Sequence, residues 1–100
     1  MRQRLDGGGW FDGSEATVLC EERRRFDGNN MISEATGSQW EHERILRTAK
    51  GALVLHTWSQ WQGSRPSYRM ISAAEAARWC AECGDTMPVE LEELASETEL

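Results

Sequence analysis

Residues 40–60 read WEHERILRTAKGALVLHTWSQ, and the fold turns on how this stretch pairs with itself. Two runs rich in β-branched, aromatic and leucine residues flank Ala49-Lys50-Gly51, a pattern that predicts a β-hairpin. A three-residue hairpin loop needs a left-handed residue at its end, and Gly51 meets that need at no steric cost. Thr48 then stands opposite Ala52, and paired residue numbers sum to 100. In that register one face carries Trp40, His42, Arg44, Leu46, Val54, His56 and Trp58. The other carries Glu41, Glu43, Ile45, Arg47, Leu53, Leu55 and Trp61. A two-residue loop would shift the pairing by one and regroup both faces; the three-residue loop is preferred.

Outward from the hairpin, Ala16 to Phe26 alternates as a strand, with Val18, Cys20 and Phe26 on one parity that Glu22 and Arg24 share. Asp27-Gly28-Asn29-Asn30 is a turn, and Met31 to Thr36 a second short strand. Gly63-Ser64-Arg65-Pro66 makes another turn before a last strand, Ser67 to Ile71. Ser72-Ala73-Ala74-Glu75 then has the form of a capping box, preceded by Ile71 as a hydrophobic staple. Ala73 to Cys83 is helical, with Ala76, Trp79, Cys80 and Cys83 as its apolar stripe, and Gly84 is expected to end it at positive φ. The fold class is therefore α+β: an antiparallel meander of four to five strands with one C-terminal helix packed on the sheet. Residues 1–14 read as a flexible Gly-rich arm, with Trp10-Phe11 as a docking point. Residues 15–86 form the single domain. Residues 87–100 form an acidic tail in which Val89 to Ala95 has the composition for a short helix.

The formal net charge of −6 is concentrated at one end. Residues 72–100 hold eight acidic groups and one basic group, whereas the rest of the chain is close to neutral. Such a balance argues against duplex DNA, whose affinity comes mainly from cations that neutralise phosphates. It leaves single strands open at the middle of the chain, where Arg44, Arg47, Lys50, Arg65 and Arg69 lie. Glu90, Glu92, Glu93, Glu97 and Glu99 read as a solubilising tail or, more sharply, as an acidic arm for a basic groove on a partner. No apolar run approaches ~18 residues, so no membrane partner is expected, and the start lacks a signal-peptide core. With three cysteines, an odd number, the chain is read as a cytoplasmic protein with reduced thiols.

Three constellations bear on chemistry. Trp79-Cys80-Ala81-Glu82-Cys83 resembles the Trp-Cys-x-x-Cys motif of thioredoxin-type oxidoreductases over five residues. In that family the first cysteine opens a helix, where the positive end favours the thiolate; here both cysteines fall at the negative end, beside Glu82 and Asp85. Cys80 and Cys83 with His42 and His56 have the composition of a Cys₂His₂ zinc set, giving a small metal protein or enzyme as one alternative. Packing of the two thiols against the sheet is the preferred reading, and no catalytic residue, metal or cofactor is assigned.

Five tryptophans in 100 residues are the strongest functional signal, and Ser-Gln-Trp recurs at 38–40 and 59–61. The repeat reads as a device marking the two ends of one hairpin. Trp40, His42, Arg44, His56 and Trp58 make a Trp/His/Arg face that is either core beneath the helix or a recognition strip; Trp61 is expected to be core. The resulting expectation is a non-enzymatic module that offers this face, or a free strand edge, to a protein partner or to its own copy. Single-stranded nucleic acid stacked on the same face is the alternative.

Overall fold

The computed structural model describes residues 1–92. Its centre is the predicted hairpin, β6 (Glu41–Arg47) with β7 (Leu53–Ser59). Its register is the one read from Gly51, with His42 opposite Trp58, Arg44 opposite His56 and Leu46 opposite Val54. Gly51 has φ 88°, and its N–H donates to the Thr48 carbonyl. β8 (Ser67–Ile71) pairs with β7, and β3 (Thr17–Glu21) pairs with β6. The result is a four-stranded antiparallel sheet in the order β3-β6-β7-β8, with α1 (Ala73–Cys83) packed on it.

The two sheet faces are buried by different means. Ala76, Ala77 and Cys80 of α1 meet Cys20, Ile45 and Ile71, with Leu53, Leu55 and Trp79 partly buried around them. Trp79 sits over β6 and donates its indole N–H to Glu43 Oε1 at 2.9 Å. The N-cap is half the expected box: Ser72 Oγ accepts from the Glu75 N–H, whereas the Glu75 carboxylate accepts from Arg69 at 2.8 Å. One end of the opposite face is covered by the first fourteen residues. The segment expected to be an arm holds a hairpin, β1 (Arg2–Arg4) with β2 (Trp10–Asp12), across Leu5 to Gly9. It buries Phe11 against Leu46 and Val54, with Leu5, Ala16 and Tyr68 alongside. The three glycines, Gly7, Gly8 and Gly9, all at positive φ, turn that hairpin where no periodicity marks it.

The strand expected from Ala16 to Phe26 is two strands. β3 stops at Glu21, and β4 (Arg24–Phe26) pairs instead with β5 (Met31–Ser33) in a separate ribbon. A bulge lies between Val18 and Cys20: Val18 faces Leu46 while Cys20 faces Ile45. One extra residue therefore sends Val18 to solvent and Cys20 into the core under the helix, which breaks the single parity expected for them. The expected tail divides. Val89–Glu92 forms a helical turn with Leu91 buried, and residues 93–100, with Glu93, Glu97, Glu99 and the rest of the expected helix and tail, lie outside the described residues.

Gly84 also departs from expectation, for a reason of space. Its φ is −82°, extended backbone open to any residue, but a Cβ there would stand 2.5 Å from Cys20 Sγ and 2.8 Å from Cys80 Cα. Gly84→Ala should therefore cost about 1–3 kcal/mol through overpacking, read as a lower urea midpoint at unchanged slope. At Gly51 a Cβ meets nothing within 4 Å, and the cost of Ala comes from the left-handed backbone alone, about 1–2 kcal/mol.

Candidate functional site

The face of β6 and β7 away from the helix carries most of the residues singled out from the sequence. Register puts His42, Arg44, His56 and Trp58 there together, and their side chains meet in a ladder, whereas Trp40, one residue before β6, packs against Trp61 instead. Phe11 packs edge-on to Tyr68 with centroids 5.6 Å apart, and Tyr68 stacks on His56 at 4.4 Å. His56 in turn lies 4.7 Å from Trp58, and Trp58 lies 5.5 Å from His42. Arg44 spans the ladder. Its guanidinium carbon sits 4.9 Å over the Trp58 ring, Nε donates to His56 Nδ1 at 3.1 Å, and Nη1 lies 3.5 Å from Glu21 Oε1.

The ladder ends on Glu22, a residue read from the sequence only as sharing the strand parity of Val18, Cys20 and Phe26. Its carboxylate has no solvent exposure and takes four donors. The Ser33 hydroxyl and the Glu43 N–H reach Oε1, each at 2.7 Å. His42 Nδ1 at 2.7 Å and Arg24 Nε at 2.9 Å reach Oε2. Burial by itself would raise this carboxyl; the Glu43 N–H, the Ser33 hydroxyl, His42 and Arg24 together outweigh it and hold Glu22 below the ordinary carboxylate range. An ionised carboxylate only accepts, so His42 carries its proton on Nδ1. The signal for this node was the parity that Glu22 shares with the neighbouring strand residues, but carboxylates are so seldom buried that the residue type outweighed it.

The two histidines are therefore internal parts of the face: His42 is 4% and His56 8% exposed. Burial first, and then the positive charge of Arg44, pull His56 down from 6.5 to about 4, so its ring is neutral at pH 7. Trp58 and Arg44 are half-buried, and Trp40 is exposed. Trp61, expected in the core, is 60% exposed and packs against Trp40 with centroids 5.2 Å apart. Strand parity fails for it because β7 ends at Ser59, and the chain then turns. The Ser-Gln-Trp repeat explains the pairing: Ser38 Oγ accepts from the Trp40 N–H at 2.9 Å, and Ser59 Oγ accepts from the Trp61 N–H at 3.1 Å. Each serine fixes the backbone of its tryptophan two residues on, while the Gln60 N–H donates to the Trp40 carbonyl and holds the two turns together.

His42 and His56 lie on the face away from the helix, whereas Cys80 and Cys83 belong to the helix and its core, so the sheet stands between the two halves of the proposed zinc set. Among the described residues no group of three or more His, Cys, Asp or Glu side chains is placed to hold a metal ion. Among those residues, too, no helix is long and apolar enough to cross a membrane. No family model, curated protein or solved structure matches this chain.

Two predictions follow the geometry. For His56 the folded state disfavours the proton, so its contribution to stability is complete above about pH 6.5 and falls as the pH drops toward 4. For Glu22, held below its ordinary value, the loss continues as the pH falls through that lowered value. Thermal melts from pH 7 to pH 4 should show a progressive decline, roughly 2 kcal/mol of which is absent in His56→Phe. Glu22→Gln should cost about 3 kcal/mol at pH 7, measured by urea unfolding, because it leaves buried donors mismatched.

Proposed function

We propose that this chain is a non-enzymatic cytoplasmic binding module that engages a protein partner through the open end of its central hairpin, where Trp40, Trp61, Trp58 and Arg44 lie. The observation that carries the reading is the Trp40–Trp61 pair, 40% and 60% exposed and locked in place by two serine turns. Large aromatic rings left in water at a rigid site cost solubility without adding to the core, and such anchors dominate the energetics of protein interfaces. His42 and His56 act behind this surface: they fix Trp58 and Arg44 and make no contact of their own with the partner. A second copy of the chain is one partner of the right chemistry.

Nucleic acid is the weaker reading on charge. Of the five cations in the middle of the chain, Arg44 faces Glu21 at 3.5 Å, Arg47 pairs with Glu90 at 3.1 Å and Arg69 with Glu75 at 2.8 Å, leaving the exposed Lys50 and Arg65 among the described residues. The test is selection of binding peptides from a random displayed library, followed by titration of wild type and the double variant Trp40→Ala/Trp61→Ala. We expect the double variant to lose binding about 100-fold or more while retaining its circular dichroism, with affinity changing little between 50 and 500 mM salt, on the order of the aromatic contributions in known hot spots. Retained affinity in the double variant refutes the reading. Preference for oligonucleotides with a steep salt slope replaces it with single-strand binding.

A further inference from the structure

The spacing Cys80-x-x-Cys83 draws attention to those two thiols, but the fold brings a different pair together. Cys20 enters the core from β3 just after the bulge and Cys80 from the middle of α1; they are 2% and 3% exposed. Both belong to one buried core cluster, with Cys20 Sγ facing the Cys80 backbone. Gly84 crosses over them: a Cβ at that position would stand 2.5 Å from Cys20 Sγ and 2.8 Å from Cys80 Cα. Since the backbone of Gly84 is ordinary extended chain, what excludes a side chain there is the space taken by Cys20 and Cys80. Cys83 is engaged elsewhere, its thiol donating to the Trp79 carbonyl at 3.2 Å within the helix.

We propose that Cys20 and Cys80 form an oxidation site at which a hydroperoxide produces a disulfide fastening β3 to α1. The Cys20 thiol directs its proton at the Thr86 carbonyl at 3.0 Å and lies 3.8 Å from Asp85 Oδ1. The Cys20 sulfur attacks one peroxide oxygen, the O–O bond breaks, and the departing hydroxide leaves as water with that proton. Cys20 is then a sulfenic acid. The Cys80 sulfur displaces its hydroxyl, which leaves as water with the Cys80 proton, and the S–S bond forms. In sum, two thiols and one hydrogen peroxide give one disulfide and two waters: both sulfurs are oxidised and both peroxide oxygens reduced. Hydrogen peroxide is small and uncharged, and the cover over the thiols at Gly84–Thr86 is a loop, so access requires only local opening of that loop. Burial first, and then the neighbouring Cys20 thiol, push the Cys80 thiol up; burial and nearby carboxylates push Cys83 up to about 12. The step in which Cys80 closes the disulfide is therefore slow at neutral pH and accelerates as the pH rises.

The test treats the full folded chain with hydrogen peroxide, alkylates the remaining thiols and maps the tryptic peptides by mass spectrometry. Trypsin leaves Cys20 in residues 5–23 and both other cysteines in residues 79–100. The expected product links these two peptides, is broken by a thiol reductant, and reduces the alkylatable thiols from three to one per chain. It forms in Cys83→Ser, fails in Cys80→Ser, and forms faster at pH 9 than at pH 7. A link confined to residues 79–100, a product joining two chains, or three alkylatable thiols at a peroxide dose that oxidises the urea-unfolded chain would each overturn the proposal.

Discussion

The buried carboxylate of Glu22 is the constraint on which the rest of the aromatic face depends. It stands where β3 gives way to β4, and its partners come from β4, β5 and β6. A charge out of water must find compensation, and here every donor is a group whose position defines the structure. Ser33 ties down the end of the β4–β5 ribbon, the Glu43 N–H fixes the edge of the central hairpin, and His42 passes the constraint to Trp58. The aromatic ladder therefore has a fixed end. Its other end is Phe11, seated in the second core cluster by the N-terminal hairpin.

This arrangement divides the sheet unevenly. The helix covers one face, and β1–β2 covers the Leu46, Val54 and Tyr68 end of the other. The open end of the hairpin is left with Trp40 and Trp61 in water. An aromatic pair gains about 0.5–1.5 kcal/mol beyond its burial, too little to explain keeping two such rings outside the core for stability alone. The serine turns that hold them indicate that their orientation is specified by the sequence, as a recognition surface requires.

Much of the fold was legible because local rules and burial agreed. Gly51 set the register, Ser72 set the helix start, and alternation along residues 41–59 sorted the two faces correctly. What escaped was tertiary. The bulge at Val18–Cys20 adds one residue that no composition marks, and it reverses the faces of everything beyond it. Gly84 was assigned a backbone role when it serves a steric one, visible only once Cys20 is brought under the helix end. The first fourteen residues lack periodicity because their hairpin is made of short strands around glycines and buries essentially one ring, Phe11. Of the candidate residues, His42, Arg44, His56 and Trp58 share a face as parity predicts, while Trp40 lies just outside the strand. Glu22 was not legible as part of the site: its parity was visible, but nothing in the sequence shows that four donors will converge on a carboxylate. Trp61 was misplaced by extending parity past the end of a strand.

The central claim is that Trp40 and Trp61 form a solvent-facing pair outside the core. Iodide quenching of tryptophan emission, on wild type and on Trp40→Phe/Trp61→Phe and with molar mass checked by light scattering, tests it most directly. The account predicts a red-shifted, iodide-accessible component in the wild-type monomer that falls by more than half in the double variant, leaving the accessible emission of Trp10 beside the more shielded Trp58 and Trp79. A wild-type monomer whose emission is blue-shifted and out of reach of iodide, or a double variant with the same accessible component as wild type, would contradict it.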